Sequence, residues 1–236
     1  MYRFDARQMA QPASLSDQRR FCMDIDGFGL ATLLDDINSN DPKTFLRINE
    51  KFCEYLPQYH SVRIRSEKAV TRHWENNQYR ASFGDQTGKG IHLEMGKNTF
   101  IGARQSSDGA ILFLGFLALA NLPDPPRLLL IEEPENGIYP KRIEQVVDLL
   151  RRFSEEGSAG KCPQIVMTTH SPYVLSHFKP EEVTFLSRRK DGTVQARPLK
   201  DAPNISQRLS GFYLGELWYN LSEQELFTDA PAEIGD

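Results

Sequence analysis

The run Arg127-Leu-Leu-Leu-Ile-Glu132-Glu133-Pro134-Glu135-Asn136-Gly137 constrains this chain more than any other stretch. Four consecutive apolar residues, bounded by Pro125-Pro126 and by Pro134, read as a short buried strand. Open α/β sheets bind their ligands beyond the carboxyl ends of their strands, and that is where Glu132 and Glu133 stand. Two adjacent carboxylates there suit one job. One helps to hold a hydrated Mg2+, while the other orients or deprotonates an attacking water. An isolated Glu-Glu is also compatible with a loop that merely opens into solvent.

Two further segments decide between these readings. Gln164-Ile-Val-Met-Thr-Thr-His170-Ser171-Pro172 is a second short apolar strand, ending in a hydroxyl-rich turn with a histidine. Upstream, Ser106-Ser107-Asp108-Gly109-Ala110 precedes the apolar run Ile111 to Ala120, so a Ser/Asp/Gly turn presents backbone amides and a hydroxyl at a helix start. Such a terminus favours anions.

In this order and spacing, with 25 residues from Ser107 to Glu132 and 37 from Glu133 to His170, the segments resemble the second half of an ABC-type ATPase domain. The resemblance is to the stand-alone AAA-family ATPases related to RecF, SMC and OLD proteins. Ser107-Asp108-Gly109 matches the signature loop, Leu128 to Glu133 the Walker B strand, Pro134-Glu135-Asn136-Gly137 the D-loop and His170 the switch histidine. The match is dense from about residue 100 to 188 and weaker at Tyr2-Arg-Phe-Asp5 and Asp26-Gly27. It implies an α/β, P-loop NTPase sheet with flanking helices, represented here by its carboxyl-terminal half, together with an α+β amino-terminal lobe. It further implies ATP and Mg2+ as cofactors, with Glu133 and His170 as catalytic residues and Glu132 in the metal shell. Ser107, Asp108, Gly109 and Asn136 would bind nucleotide, with Ser107 and the amides near Gly109 completing the pocket of a second ATPase domain, either a homodimer mate or a complementary P-loop-bearing chain.

The departures from the pattern are specific. Glu132 stands where most ABC proteins have Asp, and Ser106 and Ala110 replace the usual Leu and Gln of the signature. No Walker A loop is found. That motif needs G-x-x-x-x-G-K-[ST] between a strand and a helix, because its amides cradle phosphates while its Lys and hydroxyl serve the β- and γ-phosphates and Mg2+. Gly84-Asp-Gln-Thr-Gly88-Lys89-Gly90 is one residue short and has Gly in the hydroxyl position. Its Gly, Asp and Thr content reads as a hairpin turn, which places the phosphate loop outside the sequence. A non-hydrolysing nucleotide sensor or scaffold is the alternative reading. A metal hydrolase built on Glu132, Glu133, His170 and His177 is a further one, though the two histidines are seven apart and do not match the i,i+4 pairing of a helical zinc motif.

Bulk properties exclude little. The net charge of −4 gives no overall basic footprint for nucleic acid. Cys22, Cys53 and Cys162 are odd in number and lack C-x-x-C spacing, which fits a reducing cytoplasm better than a disulfide framework. The longest apolar run, Ile111 to Ala120, is too short to cross a bilayer. The family resemblance implies a second ATPase domain and a DNA or nuclease/effector partner, and the short apolar runs imply no membrane.

Periodicity divides the chain into a helical and β-hairpin lobe (1–99), an ATPase core (100–227) and a tail (228–236). The first lobe opens with an extended polar segment. Helices follow at Gly29 to Ile37 and at Pro42 to Leu56, the second capped by Asp41 and carrying Phe45, Ile48, Phe52 and Leu56 on one face. Strands are expected at 62–64, 78–83 and 91–95. The core then reads helix (107–121), strand (127–132), helix (141–153), strand (164–169), helix (172–178) and strands at 183–188 and 193–198, the alternation of a parallel sheet. Ser206 to Leu226 reads as a terminal helical segment whose aromatics, Phe212, Tyr213 and Trp218, are expected in the core.

Overall fold

A computed structural model describes residues 1–14, 21–75, 78–96, 98–158, 160–189, 191–209 and 211–220. The expected tail and the end of the expected terminal helical segment, Leu221 to Leu226, lie outside these residues. The chain forms two compact units, Met1–Thr168 and Thr169–Asp236.

The first unit is organised around one helix. α4 (Asp108–Ala120) is apolar on every side, and each residue from Ala110 to Ala120 is buried. A helix without a polar face is stable only when surrounded. α1 (Ala6–Met9), α2 (Leu30–Asn40), α3 (Pro42–Tyr55) and α5 (Ile143–Glu156) surround it. α1 comes so close that a Cβ on Gly115 would lie 2.0 Å from Met9 Cε, and Phe4 packs on Phe116 with ring centroids 5.0 Å apart. α1 interrupts the segment expected to be extended, because Asp5 caps it through Arg7 N–H and Gln8 N–H. α3 begins as expected, with Asp41 Oδ1 accepting from Thr44 N–H at 3.2 Å. It buries Thr44, Ile48 and Phe52, the i,i+4 stripe of an amphipathic helix.

Two sheets flank this bundle. β1 (Ala13–Ser14), β2 (Ser61–Glu75), β3 (Gln78–Glu94) and β4 (Phe100–Gly102) form one, in which β2 and β3 pair antiparallel from Ser61↔Glu94 to Glu75↔Gln78. The expected short strands are thus two long ones. The Gly84–Gly90 stretch lies inside β3 and is not a hairpin turn, which corrects the sequence expectation. Its glycines serve close approach: a Cβ on Gly88 would fall 2.2 Å from the Ala13 carbonyl oxygen, and one on Gly90 would meet the Glu67 carboxylate. Lys89 is spent on Asp35, 3.1 Å away. The second sheet is β5 (Leu128–Glu132) and β6 (Gln164–Thr168), parallel and connected through α5. Parallel neighbours require such a crossover.

The second unit contains α6 (Pro172–Leu175), the antiparallel pair β7 (Thr184–Arg188) and β8 (Val194–Pro198), α7 (Ile205–Arg208) and α8 (Leu214–Asn220). Leu175, Phe185, Leu199, Ile205, Leu214 and Leu217 form its core, with Trp218 edge-on to Phe185 at 4.9 Å. Phe212 and Tyr213, expected in the core, are exposed because they precede α8 and point away from its packed face.

Candidate functional site

β5 is held on both edges. Its register with β6 runs from Leu128↔Gln164 to Glu132↔Thr168. On the other side Tyr2 N–H donates to the Leu130 carbonyl at 2.7 Å, and Glu132 N–H donates to the Tyr2 carbonyl at 2.8 Å. One residue later, Glu133 N–H turns the opposite way and donates to the Thr168 carbonyl at 2.9 Å. The strand ends there, since Glu133 has φ +46°, a left-handed conformation that costs a non-glycine residue roughly 1 kcal/mol or more. The two carboxylates are therefore fixed by backbone bonds to different neighbours.

Their side chains also have different partners. Glu132 Oε1 lies 3.5 Å from Arg3 Nη1, a solvent-screened pair that orients more than it stabilises. Glu133 is engaged by the turn that follows it. Asn136 N–H donates to the Glu133 carbonyl at 3.0 Å, and Asn136 Nδ2 donates to Glu133 Oε2 at 3.3 Å.

The same turn abuts the start of α4. Ser107 is the N-cap, its hydroxyl oxygen accepting from Ala110 N–H at 3.4 Å, and Asp108 occupies the first turn, where a negative charge suits the helix dipole. Acting as an acceptor leaves the Ser107 O–H free to donate elsewhere. A Cβ on Gly109 would lie 3.3 Å from the Gly137 carbonyl oxygen, and one on Gly137, at φ +81°, would lie 2.7 Å from Leu112 Cδ1. These two glycines let the turn and the helix start touch.

Asp108, Asn136 and Gly137 line a cavity of about 480 Å³ together with Arg3, Asp5 and Asp26. Asp26 is fixed by Arg72, a buried guanidinium that also bonds Asp24 and Gln8 and stacks over the Phe28 ring at 4.5 Å. Sequence reading marked Tyr2–Asp5 and Asp26-Gly27 without giving them roles. Arg72 carried no sequence signal, since its partners lie 46 and more residues away.

The structure thus brings Asp108 and Gly109 to Asn136 and Gly137, and brings Asn136 to Glu133. Glu132 and Glu133 stand at the strand tip outside that cavity, and Ser107 is also not part of its lining. His170 belongs to the second unit, two residues beyond Thr168 in the chain. A single hard carboxylate such as Glu132 matches Mg2+, which takes one or two protein carboxylates and completes its shell with water and phosphate oxygens. Among the described residues no three of His, Cys, Asp or Glu gather as a metal cluster.

The family described as "AAA domain, putative AbiEii toxin, Type IV TA system" matches residues 26–176. The chain belongs to this family. It is an AAA domain, and its own architecture is mixed α/β. Solved structures similar to it include the Smc head bound to the C-winged helix domain of ScpA, at 18% identity over 71% of this chain and 48% of that chain, with a TM-score of 0.45. An SMC ATPase structure, described under ATP-driven dimerization and DNA stimulated activation, matches at 16% identity over 75% of this chain and 96% of that one, TM-score 0.45. The Smc head domain with an extended coiled coil, bound to the C-terminal domain of ScpA and derived from Pyrococcus furiosus, matches at 16% identity over 76% and 44%, TM-score 0.39. The chain spans about half the length of the first of these. No curated protein sequence matches it. No helix among the described residues is long and apolar enough to cross a membrane.

Proposed function

We propose that this AAA-family module hydrolyses ATP at the tip of β5. Glu133 orients and deprotonates the attacking water, Glu132 belongs to the magnesium shell and His170 contacts the γ-phosphate. Ser107, the amides of Asp108 and Gly109, and Asn136 complete the nucleotide site of a second ATPase domain, paired head to tail. Bound Mg2+ would neutralise charge on the transferred phosphoryl group. The residues of the chain contribute positioning and preorganised donors, which is most of what phosphoryl transfer requires.

The observation that carries this reading is the strand tip itself. Two successive carboxylates end a parallel strand pair, and the turn that binds the second of them, Glu133–Gly137, presses on the amino terminus of α4. We place the phosphate loop on a further strand–loop–helix unit packed against β6, and the state of the β5–β6 pair supports this. Among the described residues β6 pairs with β5 alone, leaving one edge bare. One face of the pair is buried (Leu129 1%, Ile131 2%), whereas Leu128 (49%), Leu130 (37%) and Val166 (47%) expose the other. Parallel sheets are normally covered on both faces. A strand–loop–helix unit added to β6 would cover that face and bring amides to the end where Glu132 and Glu133 stand.

We read the output as mechanical or regulatory, in the cytoplasm, with DNA or a nuclease/effector as the partner; the type IV toxin–antitoxin context in the family's description agrees with such a role. The second reading, a non-hydrolysing nucleotide sensor or scaffold, is favoured by the Gly84–Gly90 stretch being strand and not phosphate loop. Phosphate release by the assembled ATPase, phosphate-loop lobe included, separates the two. Turnover that Glu133→Gln abolishes without loss of ATP binding supports hydrolysis at this tip, and absence of turnover in the parental protein supports the sensor.

A further inference from the structure

Tyr59 is the buried residue nearest in chemistry to the Ser107 turn, although it lies 48 positions away in sequence. It is 5% exposed, and its ring stacks on Phe52 with centroids 5.5 Å apart and planes 28° apart. A buried tyrosine hydroxyl needs a partner. Here that partner is Ser106 Oγ, at 2.7 Å. Ser106 immediately precedes the N-cap and stands where the signature pattern has an apolar leucine, so the hydroxyl pair is a feature of this chain's own sequence.

Ser106 is bound at two points. Its N–H donates to the Ala103 carbonyl at 3.0 Å, and its side chain meets Tyr59. A second brace sits just upstream. The Glu67 carboxylate on β2 bonds His92 on β3 and lies 4.0 Å from Arg104, while β3 holds β4 through His92↔Gly102. The four residues from Ala103 to Ser106 are therefore clamped between a rigid sheet and an aromatic stack. The peptide joining Ser106 to Ser107 links this clamp directly to the Ser107 hydroxyl and the first α4 amides.

We infer that the Tyr59–Ser106 hydroxyl pair is a positioning element that aims Ser107 and the amino terminus of α4 at the nucleotide of the opposing ATPase domain. The inference rests on the ATPase reading above and adds to it a residue from the α3–β2 connection. Neither hydroxyl touches nucleotide. Their effect is transmitted through the Ser107 turn, where misplacement by about 1 Å can slow a reaction by up to 10²-fold.

The test is steady-state ATPase kinetics and thermal unfolding of the assembled ATPase carrying Tyr59→Phe, Ser106→Ala, both changes together, Ser106→Thr or Glu133→Gln. Tyr59→Phe keeps the ring stack and removes only the hydroxyl. Each single removal is expected to lower kcat about tenfold; Tyr59→Phe, which leaves no buried group unpaired, keeps the unfolding midpoint within about 3 °C of the parent, the size of one hydrogen bond's net contribution. The double variant is expected to lose no more than either single one, because both delete the same contact. Ser106→Thr retains the hydroxyl and is expected to keep most of the parental kcat. Parental kcat in Tyr59→Phe and Ser106→Ala alongside a dead Glu133→Gln overturns this inference alone. Losses that multiply in the double variant, or that track unfolding, also overturn it. An active Glu133→Gln overturns the ATPase reading, and this inference with it.

Discussion

Asn136 binds Glu133 twice, through its amide to the Glu133 carbonyl at 3.0 Å and through Nδ2 to Oε2 at 3.3 Å. The first bond closes the turn, and the second sets the direction of the carboxylate. A residue assigned by resemblance to nucleotide binding thus also holds the proposed base of its own strand.

This pairing predicts a graded series in the assembled ATPase. Glu133→Gln keeps shape and removes the base, so turnover is expected to fall by at least about 10²-fold with ATP binding retained. Asn136→Ala leaves the base in place but removes one of the bonds that aim it, and a loss of about tenfold is expected. Rapid-quench measurement of phosphate formation, together with equilibrium nucleotide binding, checks both. Parental turnover in Glu133→Gln removes Glu133 from the mechanism.

Glu133 also departs from ordinary backbone geometry, with φ +46°. Glycine adopts that conformation without a Cβ penalty. Glu133→Gly is therefore expected to leave the isolated chain as stable as the parent or more stable, by up to about 1 kcal/mol, while eliminating turnover in the assembled enzyme. Urea unfolding read by circular dichroism tests the first half. Marked destabilisation would mean that the carboxylate's contacts outweigh the backbone strain.

Much of this was legible in the residues. β5, β6 and α4 carry unmixed apolar runs bounded by Pro, Ser and Asp, and local chemistry alone fixes their type. Asp41 as the cap of α3 was equally clear. The Gly84–Gly90 stretch misled because its glycines answer to Ala13 and Glu67, contacts remote in sequence. In isolation such glycines are indistinguishable from turn residues. Phe212 and Tyr213 misled for a related reason: they precede α8 and are exposed, and aromatic character alone does not specify what packs on a residue. The links from Arg72 to Asp26 and from Tyr59 to Ser106 join residues more than 45 positions apart and leave no local pattern.

The cysteines offer a check on packing that is independent of nucleotide. Burial, reinforced by the Glu94 charge, pushes the Cys53 thiol above its ordinary range. Cys162 is exposed. Because the thiolate is the reactive form, Cys53 should be alkylated at least about tenfold more slowly than Cys162 at pH 8 in the native chain. Its rate should keep climbing at pH values where an ordinary thiol has levelled off. Pulse labelling with iodoacetamide followed by peptide mass spectrometry measures both rates, and denaturant should erase the difference. Equal native rates would place Cys53 at the surface.

The head-to-tail arrangement makes the most discriminating prediction. If Ser107 serves the nucleotide held by the opposite domain, Ser107→Arg and Glu133→Gln damage different halves of one composite site. In a mixed dimer both lesions fall on the same nucleotide, and the other site is intact. Mixing two inactive variants of the assembled domain should therefore restore activity, with at most about half of the dimers mixed under random exchange and closed two-fold pairing. Phosphate release plotted against mixing ratio should rise and fall, with its maximum near equal amounts. A self-contained enzyme has no such maximum, because each variant carries its lesion into every site it forms. With subunit exchange verified by a fluorescent label, a flat background at every ratio would exclude independently firing shared sites and return Ser107 to the role of a helix cap.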